Sequence, residues 1–92
     1  MVDIKKGSKS FYVGDKEEDP SAVIKFSSKG SDIIVVDSTF VSDELRGQNV
    51  GKLLLQRVVD LAREENKKII PRCSFVKAVF EKTKDYEDVL YK

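Results

Sequence analysis

Residues 32–41, DIIVVDSTFV, are the strongest strand signal in the chain. They are rich in β-branched side chains and almost continuously apolar, which is typical of a central strand that is covered on both faces. Two weaker strand patterns precede them, KSFYV at 9–13 and AVIKFS at 22–27, and the stretches between the three have the composition of turns. Three strands joined by short turns predict an antiparallel meander that ends with residues 32–41.

Beyond residue 41 the apolar period changes from that of a strand to that of a helix. The apolar positions fall on one stripe, and the charged ones take the other side, which predicts an amphipathic helix from Val50 to about Asn66. The stripe consists of Val50, Leu53, Leu54, Val58, Leu61 and Ala62. The helix is therefore expected to pack one face against the meander.

The chain after this helix predicts one more strand and one more helix. Residues 67–75, KKIIPRCSF, resemble a strand, but Pro71 cannot donate to a ladder, so this strand is bent, lies at an edge, or leaves its neighbour at that point. Residues 76–83 are suited to a short helix, and the apolar pair Val89–Leu90 is suited to docking back. The order β-β-β-α-β-α predicts an α/β fold with a mixed sheet, in which the strands around the first helix are parallel.

The composition of the chain argues against several classes of partner and of catalytic site. The 92 residues predict a single domain, 1–92, and 17 basic against 16 acidic residues give no broad nucleic-acid or anionic-membrane footprint. One cysteine allows no internal disulfide, no apolar run reaches the ~18 residues of a membrane span, and no signal peptide is visible, so we expect a cytoplasmic protein. The chain contains no histidine, which argues against a zinc site and excludes a Ser-His-Asp or Cys-His site within it.

The segment RGQNVGK, residues 46–52, opens the predicted long helix. A helix N-terminus presents about four unpaired N–H groups and a partial positive charge, and small residues allow an anion to approach them. Arg46 and Lys52 add positive charge, and Asn49 tolerates a left-handed backbone. The alternative is an ordinary loop in which Asn49 caps the helix and no anion binds.

The segment resembles a family signature. Arg46-Gly47-Gln48-Asn49-Val50-Gly51 is similar to the [Q/R]-x-x-G-x-[G/A] segment of the GCN5-related N-acetyltransferases, with Asn49 where glycine is usual. Residues 37–41, 45–54, 62–76 and 80–90 resemble a compact subfamily of about this length, sometimes called YjdJ-like. The resemblance implies a minimal acetyltransferase fold with a splayed parallel strand pair, and acetyl-CoA as cosubstrate.

The resemblance also implies the residues of a site. In the family, backbone amides of the loop hold the pyrophosphate of acetyl-CoA, and further residues of the matched segments line the same cleft. The implied cofactor-binding residues are Val41, Arg46, Gly47, Gln48, Asn49, Val50, Gly51, Lys52, Ser74 and Lys77. No metal site is implied.

The implied catalytic residues are Cys73, Ser38 and Tyr86. Taken alone, a single cysteine is most often a small buried apolar side chain. In the subfamily the pattern I-P-x-C-x-[YF]-V, matched here by Pro71 to Val76, carries a cysteine near the thioester, and Ser38 stands where many members have histidine. A thiolate needs a base, a cation or a helix N-terminus, and serine is not a base at neutral pH. Tyr86 is the candidate to replace the tyrosine that serves as general acid in the family. The alternative is that Tyr86 only packs the C-terminus.

Two functions follow from the resemblance. The first is an N-acetyltransferase that moves an acetyl group from acetyl-CoA to an amine, either of a small molecule or of a protein lysine or N-terminus. The second is a non-catalytic module that binds acetyl-CoA or CoA, as a sensor or a subunit. We expect neither nucleic acid nor a membrane as partner.

Overall fold

The computed structural model of the chain describes residues 3–16, 18–45, 47 and 49–91. It contains five strands, two α-helices and two 3₁₀ turns. In chain order these are β1 Ile4–Lys6, β2 Ser10–Val13, β3 Ala22–Lys29, β4 Ile33–Val41, a 3₁₀ turn Asp43–Leu45, α1 Val50–Glu64, β5 Lys68–Pro71, α2 Ser74–Lys82 and a 3₁₀ turn Lys84–Val89.

The five strands form one mixed sheet in the order β1-β2-β3-β4-β5. The first four strands are antiparallel, and β5 pairs in parallel with β4, from Ile33 opposite Lys68 to Val36 opposite Pro71. The predicted α/β class, the meander and the parallel pair around the long helix are thus confirmed. The pattern did not predict β1, whose three residues pair with β2 at the edge of the sheet.

The core lies between one face of the sheet and the two helices. Ile24, Phe26, Ile34 and Val36 from β3 and β4 pack in one cluster with the buried faces of α1 and α2. Val35 is also buried, on the second face of β4, so the centre of this strand is covered on both faces as predicted.

The long helix buries a stripe that is rotated from the predicted one. Leu55 and Val59 are fully buried, whereas Leu53 is 43% exposed. The direction in which α1 packs on the sheet decides which stripe of the helix is buried. A run of three leucines does not show that direction. The helix ends at Glu64, where Asn66 takes a left-handed φ of 55° and the Lys67 N–H donates to the Ala62 carbonyl at 2.7 Å, as in a Schellman motif.

The strand predicted over 67–75 is shorter than expected. It ends at Pro71, and α2 begins at Ser74 rather than at residue 76. Pro71 lies in the edge strand β5 at the point where that strand leaves β4, in agreement with the restriction on proline. Cys73 therefore lies at the start of a helix and not within a strand.

The C-terminal turn docks against β5 and α1, as the apolar pair suggested. Val89 is buried, Leu90 forms a parallel bridge to Ile69, and the Tyr91 N–H donates to the Ile69 carbonyl at 2.9 Å. Arg63 of α1 holds the same turn through both carboxylate oxygens of Asp88, at 3.0 Å each. Within the described part of the chain, no helix has the length and apolar character needed to cross a membrane.

Candidate functional site

A cavity of about 310 Å³ opens between the first turn of α1, the end of β4 and the start of α2. Its lining residues come from all three elements and from the loop before α1. They are Thr39, Val41, Leu45, Gly47, Val50, Gly51 and Phe75. The structure therefore brings together four of the predicted cofactor-binding residues, which are Val41, Gly47, Val50 and Gly51.

The backbone before α1 adopts the left-handed conformation that the sequence suggested. Asn49 has a φ of 58° and Gly47 a φ of 88°. Asn49 occupies the N-cap position but makes no side-chain capping bond, so its contribution is the conformation of its backbone. The Leu53 N–H donates to the Asn49 carbonyl at 3.0 Å, and helix geometry gives the N–H groups of residues 50–52 no acceptor within the helix.

Gly51 lies directly beneath the ring of Phe75. A Cβ built on Gly51 would lie 3.0 Å from Cζ of Phe75, which is tighter than most real Cβ contacts and would require the ring to move by a few tenths of an ångström. The Phe75 side chain is 41% exposed and forms a wall of the cavity. The close approach that was expected at Gly51 is therefore occupied by an aromatic side chain of α2, which joins the two helices across the cavity.

A β-bulge decides which residues of β4 face this cavity. Lys25 pairs with Ser38 and Phe26 with Val36, so Asp37 is an extra residue on β4. Without the bulge, alternation from Val36 would point the Ser38 side chain toward α2. Because of the bulge, the side chains of Thr39 and Val41 point toward α2 instead.

Ser38 is exposed on the second face of the sheet. There it lines a different groove together with Asp37. The structure does not bring Ser38 to Cys73, and Thr39 stands there instead.

Cys73 lies at the N-cap of α2, with its thiol half-buried against β4. Its Sγ donates to Oγ1 of Thr39 at 3.6 Å, and its carbonyl accepts from the Lys77 N–H at 2.9 Å. Burial raises the pKa of this thiol. After ionisation the Thr39 hydroxyl can turn to donate to the sulfur, as the backbone groups at Val76 and Phe75 do, and these hydrogen bonds together outweigh burial, so the pKa lies below its ordinary value. The helix N-terminus is one of the three thiolate-stabilising environments, and sequence reasoning missed it because residues 67–75 resembled a continuous strand.

The remaining predicted residues stand outside the cavity or outside the described chain. Lys52, Ser74 and Lys77 are exposed and are not among its lining residues. Arg46 and Gln48 lie outside the described residues, so their predicted roles stay predictions.

Tyr86 is buried in the C-terminal turn rather than placed at the cavity. It packs edge-on against Phe80 with ring centroids 5.7 Å apart, and its hydroxyl donates to Oε1 of Gln56 on α1. The structure therefore does not bring Tyr86 and Cys73 together. Burial raises the pKa of the Tyr86 hydroxyl. Among the described residues, no three metal-ligating side chains are grouped so that they could hold a metal ion.

Comparison with known proteins identifies the family. A model of the GCN5-related N-acetyl-transferase family matches residues 10–89. The chain belongs to the GCN5-related N-acetyltransferase family. This finding confirms the family resemblance read from the sequence, while the subfamily stays a prediction.

Solved structures agree with this assignment. A GCN5-like protein of Staphylococcus aureus, solved by NMR, is 48% identical over 98% of this chain and 88% of its own, with a TM-score of 0.84. A ribosomal-protein-alanine N-acetyltransferase from Brucella melitensis biovar Abortus 2308 is 19% identical over 94% of this chain and 64% of its own, with a TM-score of 0.57. Nourseothricin acetyltransferase is 23% identical over 67% of this chain and 38% of its own, with a TM-score of 0.54.

The last two structures share the fold and are considerably longer than this chain. No curated protein sequence matches the chain at a significant level. The family match and the 48% identical GCN5-like protein support an acyltransferase, as the sequence predicted.

Proposed function

We propose that the chain binds acetyl-CoA in the cavity at the N-terminus of α1 and transfers the acetyl group to an amine. The observation that carries this proposal is the composition of the cavity: the left-handed loop and first turn of α1 form one end, and Thr39, the partner of the Cys73 thiol, forms the other. An anion at the loop end meets helix N–H groups and the positive end of the helix dipole. A thioester at the other end would lie beside Thr39; Cys73 itself does not line the cavity, but its thiol is bonded to the Thr39 hydroxyl.

Two routes for the transfer are compatible with this proposal. In the direct route the amine nitrogen attacks the thioester carbonyl and the CoA thiolate leaves. In the covalent route the Cys73 thiolate attacks the thioester carbonyl, and CoA leaves as its thiolate and takes a proton from solvent. The amine then attacks the acetyl group on sulfur, releases the Cys73 thiolate and loses one proton to solvent. The lowered pKa of Cys73 and its place at the start of α2 favour the covalent route, since thiolate is the nucleophilic form.

A non-catalytic acetyl-CoA or CoA module is the second candidate function. The chain contains no histidine, and the described residues that line the cavity include no carboxylate or amine side chain. The hydroxyl of Tyr86, the predicted general acid, is bonded to Gln56. In this reading the cavity holds the cosubstrate and no transfer follows.

Amide NMR titration with acetyl-CoA and with CoA tests the binding that both functions require. We expect the signals of residues 46–52, Thr39 and Val41 to move in saturable fashion. If none of them moves at millimolar ligand, both functions are excluded. Ser28→Ala, at the opposite end of the sheet, serves as the control and should bind as the native chain does.

Intact-mass measurement after incubation with acetyl-CoA separates the two routes. The covalent route predicts a mass gain of one acetyl group that hydroxylamine removes and that Cys73→Ala abolishes. If the chain binds acetyl-CoA and acetylates an amine while Cys73→Ala retains full activity, the direct route is correct. Binding without transfer to any of a panel of amines supports the module.

A further inference from the structure

The tip of the Phe75 ring rests on the first turn of α1. Its atoms Cζ, Cε2 and Cε1 lie 3.0, 3.2 and 3.7 Å from the position that a Cβ on Gly51 would occupy. Gly51 is the second residue of α1 and is buried. The first N–H groups of a helix have no acceptor within it and are normally open to water or to a ligand. The ring therefore occupies space beside Gly51 that water or a ligand would otherwise take.

The ring stands on the side of Gly51 to which the free N–H groups point. In an α-helix the bond from Cα to Cβ is tilted toward the N-terminus of the helix. An atom that crowds the Cβ position of Gly51 therefore lies toward the start of α1, and the N–H groups of residues 50–52 point in the same direction. An anion that approaches Gly51 from the cavity must displace the ring.

The Phe75 side chain can leave this position without disturbing the core. It is 41% exposed and lies outside the core cluster. The backbone before it is fixed, because the N–H groups of Arg72 and Cys73 both donate to the Val36 carbonyl at 3.2 Å. Exposed side chains change rotamer within picoseconds to nanoseconds, so the ring can move while the start of α2 stays in place.

A ligand with an apolar arm compensates for this movement, and a bare anion does not. Among the described residues that line the cavity, Thr39 is the one with a polar side chain. An apolar arm that lies against Val41, Leu45 and Val50 keeps the displaced ring covered, whereas inorganic pyrophosphate leaves its apolar surface in water. The cost of moving the ring therefore differs between the two kinds of ligand.

We propose that Phe75 determines the specificity of the cavity by covering the start of α1 until a ligand with both a phosphate and an apolar arm displaces the ring. The inference rests on the binding of acetyl-CoA proposed above and adds the residue that selects the ligand. Free inorganic phosphates, which a helix N-terminus otherwise attracts, meet the ring instead. Acetyl-CoA carries the phosphates and the apolar arm in one molecule.

Nuclear Overhauser effects in the native chain test the position of the ring. In the free chain we expect cross-peaks between the ring protons of Phe75 and the α protons of Gly51. Saturating CoA should remove them, whereas pyrophosphate at the same concentration should leave them in place. If the cross-peaks persist at full strength while CoA moves the amide signal of Gly51, the ring does not need to move and the proposal is wrong.

The variant Phe75→Ala tests the selectivity. Pyrophosphate binding, measured from the amide signals of residues 50–52, should tighten by about tenfold, which corresponds to a ring that covers Gly51 in about nine of ten free molecules. The affinity for CoA should stay at the native value or fall, because the variant has no ring to pack against the apolar arm. The selectivity for CoA over pyrophosphate therefore falls by at least about tenfold.

Leu53→Ala is the matched control for this variant. Leu53 is an apolar residue of α1 that is 43% exposed, and it does not line the cavity. Its replacement should leave both affinities within about twofold of native. An equal loss of selectivity in Leu53→Ala and Phe75→Ala would overturn the proposal, because it would show a general effect of removing exposed apolar surface.

The same titrations keep this inference apart from the proposed function. If CoA moves the signals of residues 46–52 and Phe75→Ala retains the native selectivity, the cavity binds CoA and the role proposed for Phe75 is wrong. If CoA moves nothing in the native chain, the proposed function fails and the inference fails with it.

Discussion

The parallel strands β4 and β5 differ between the half where they pair and the half where they part. In the paired half, Ile34, Val36 and Ile69 are between 0% and 3% exposed and belong to the core. In the parted half, from Asp37 to Val41, β4 retains β3 as its described partner, and its side chains line a cavity and contact a thiol. One strand therefore contributes to folding at one end and provides a site at the other.

Two local features produce this difference. Pro71 is the last residue of β5, and the chain turns into α2 at Ser74, which draws the neighbouring strand away from β4. The bulge at Asp37 then reverses the alternation of β4, so that Thr39 and Val41 face the opening. Both features weaken regular pairing in the half that lines the cavity, whereas the fully buried side chains of the β4–β5 pair lie in the other half.

The largest expected effect on stability belongs to the paired half. Ile69→Ala should lower the free energy of unfolding by roughly 2–5 kcal/mol, since Ile69 is fully buried between β4, α1 and the C-terminal turn. Urea unfolding followed by circular dichroism measures this, with Ile69→Val as the control at about 0.5–1.5 kcal/mol. The affinity of the folded fraction for acetyl-CoA should stay within about twofold of native. A stability loss below about 1 kcal/mol would contradict the division between the two halves.

The second effect is on binding in the parted half. Gly51→Glu should weaken acetyl-CoA binding by about a hundredfold or more, because the side chain displaces Phe75 and brings a carboxylate toward the ligand's phosphates. Isothermal titration calorimetry gives the affinity.

Gly51→Ala separates the two causes of this loss. Its Cβ needs a shift of a few tenths of an ångström by a ring that is 41% exposed. It should therefore cost far less affinity than glutamate does. If alanine is as damaging as glutamate, the contact with Phe75 matters more than the charge.

Sequence patterns predicted the paired half better than the parted half. The strand DIIVVDSTFV and the helix α1 could be predicted because the local period of their apolar residues is that of a strand and of a helix. The left-handed backbone before α1 could be predicted because Gly47 and Asn49 tolerate that conformation. The family resemblance then assigned that loop a ligand. Each of these signals lies within a short segment, so sequence reasoning could find it.

Features of the parted half depend on contacts between segments. The bulge at Asp37 exists only in the register with β3, and the contact between Gly51 and Phe75 joins two helices. The start of α2 could not be predicted from IIPRCSFV, because a short apolar run of this kind suits a strand as well as a helix. For this reason the sequence predicted Cys73 together with Ser38, whereas the structure places Thr39 against the Cys73 thiol.

The smallest expected effect tests whether Thr39, and not Ser38, is the partner of Cys73. Thr39→Val removes one of the hydrogen bonds that lower the pKa of Cys73, so this pKa should rise toward its ordinary value. At neutral pH a smaller fraction of the thiol is then ionised, and its alkylation by iodoacetamide should slow severalfold, with the rate profile moved to higher pH. Ser38→Ala, one residue away on the second face, should leave the profile unchanged. A shift in Ser38→Ala with none in Thr39→Val would show that alternation continues through residue 37 and that the bulge does not set the geometry of the site.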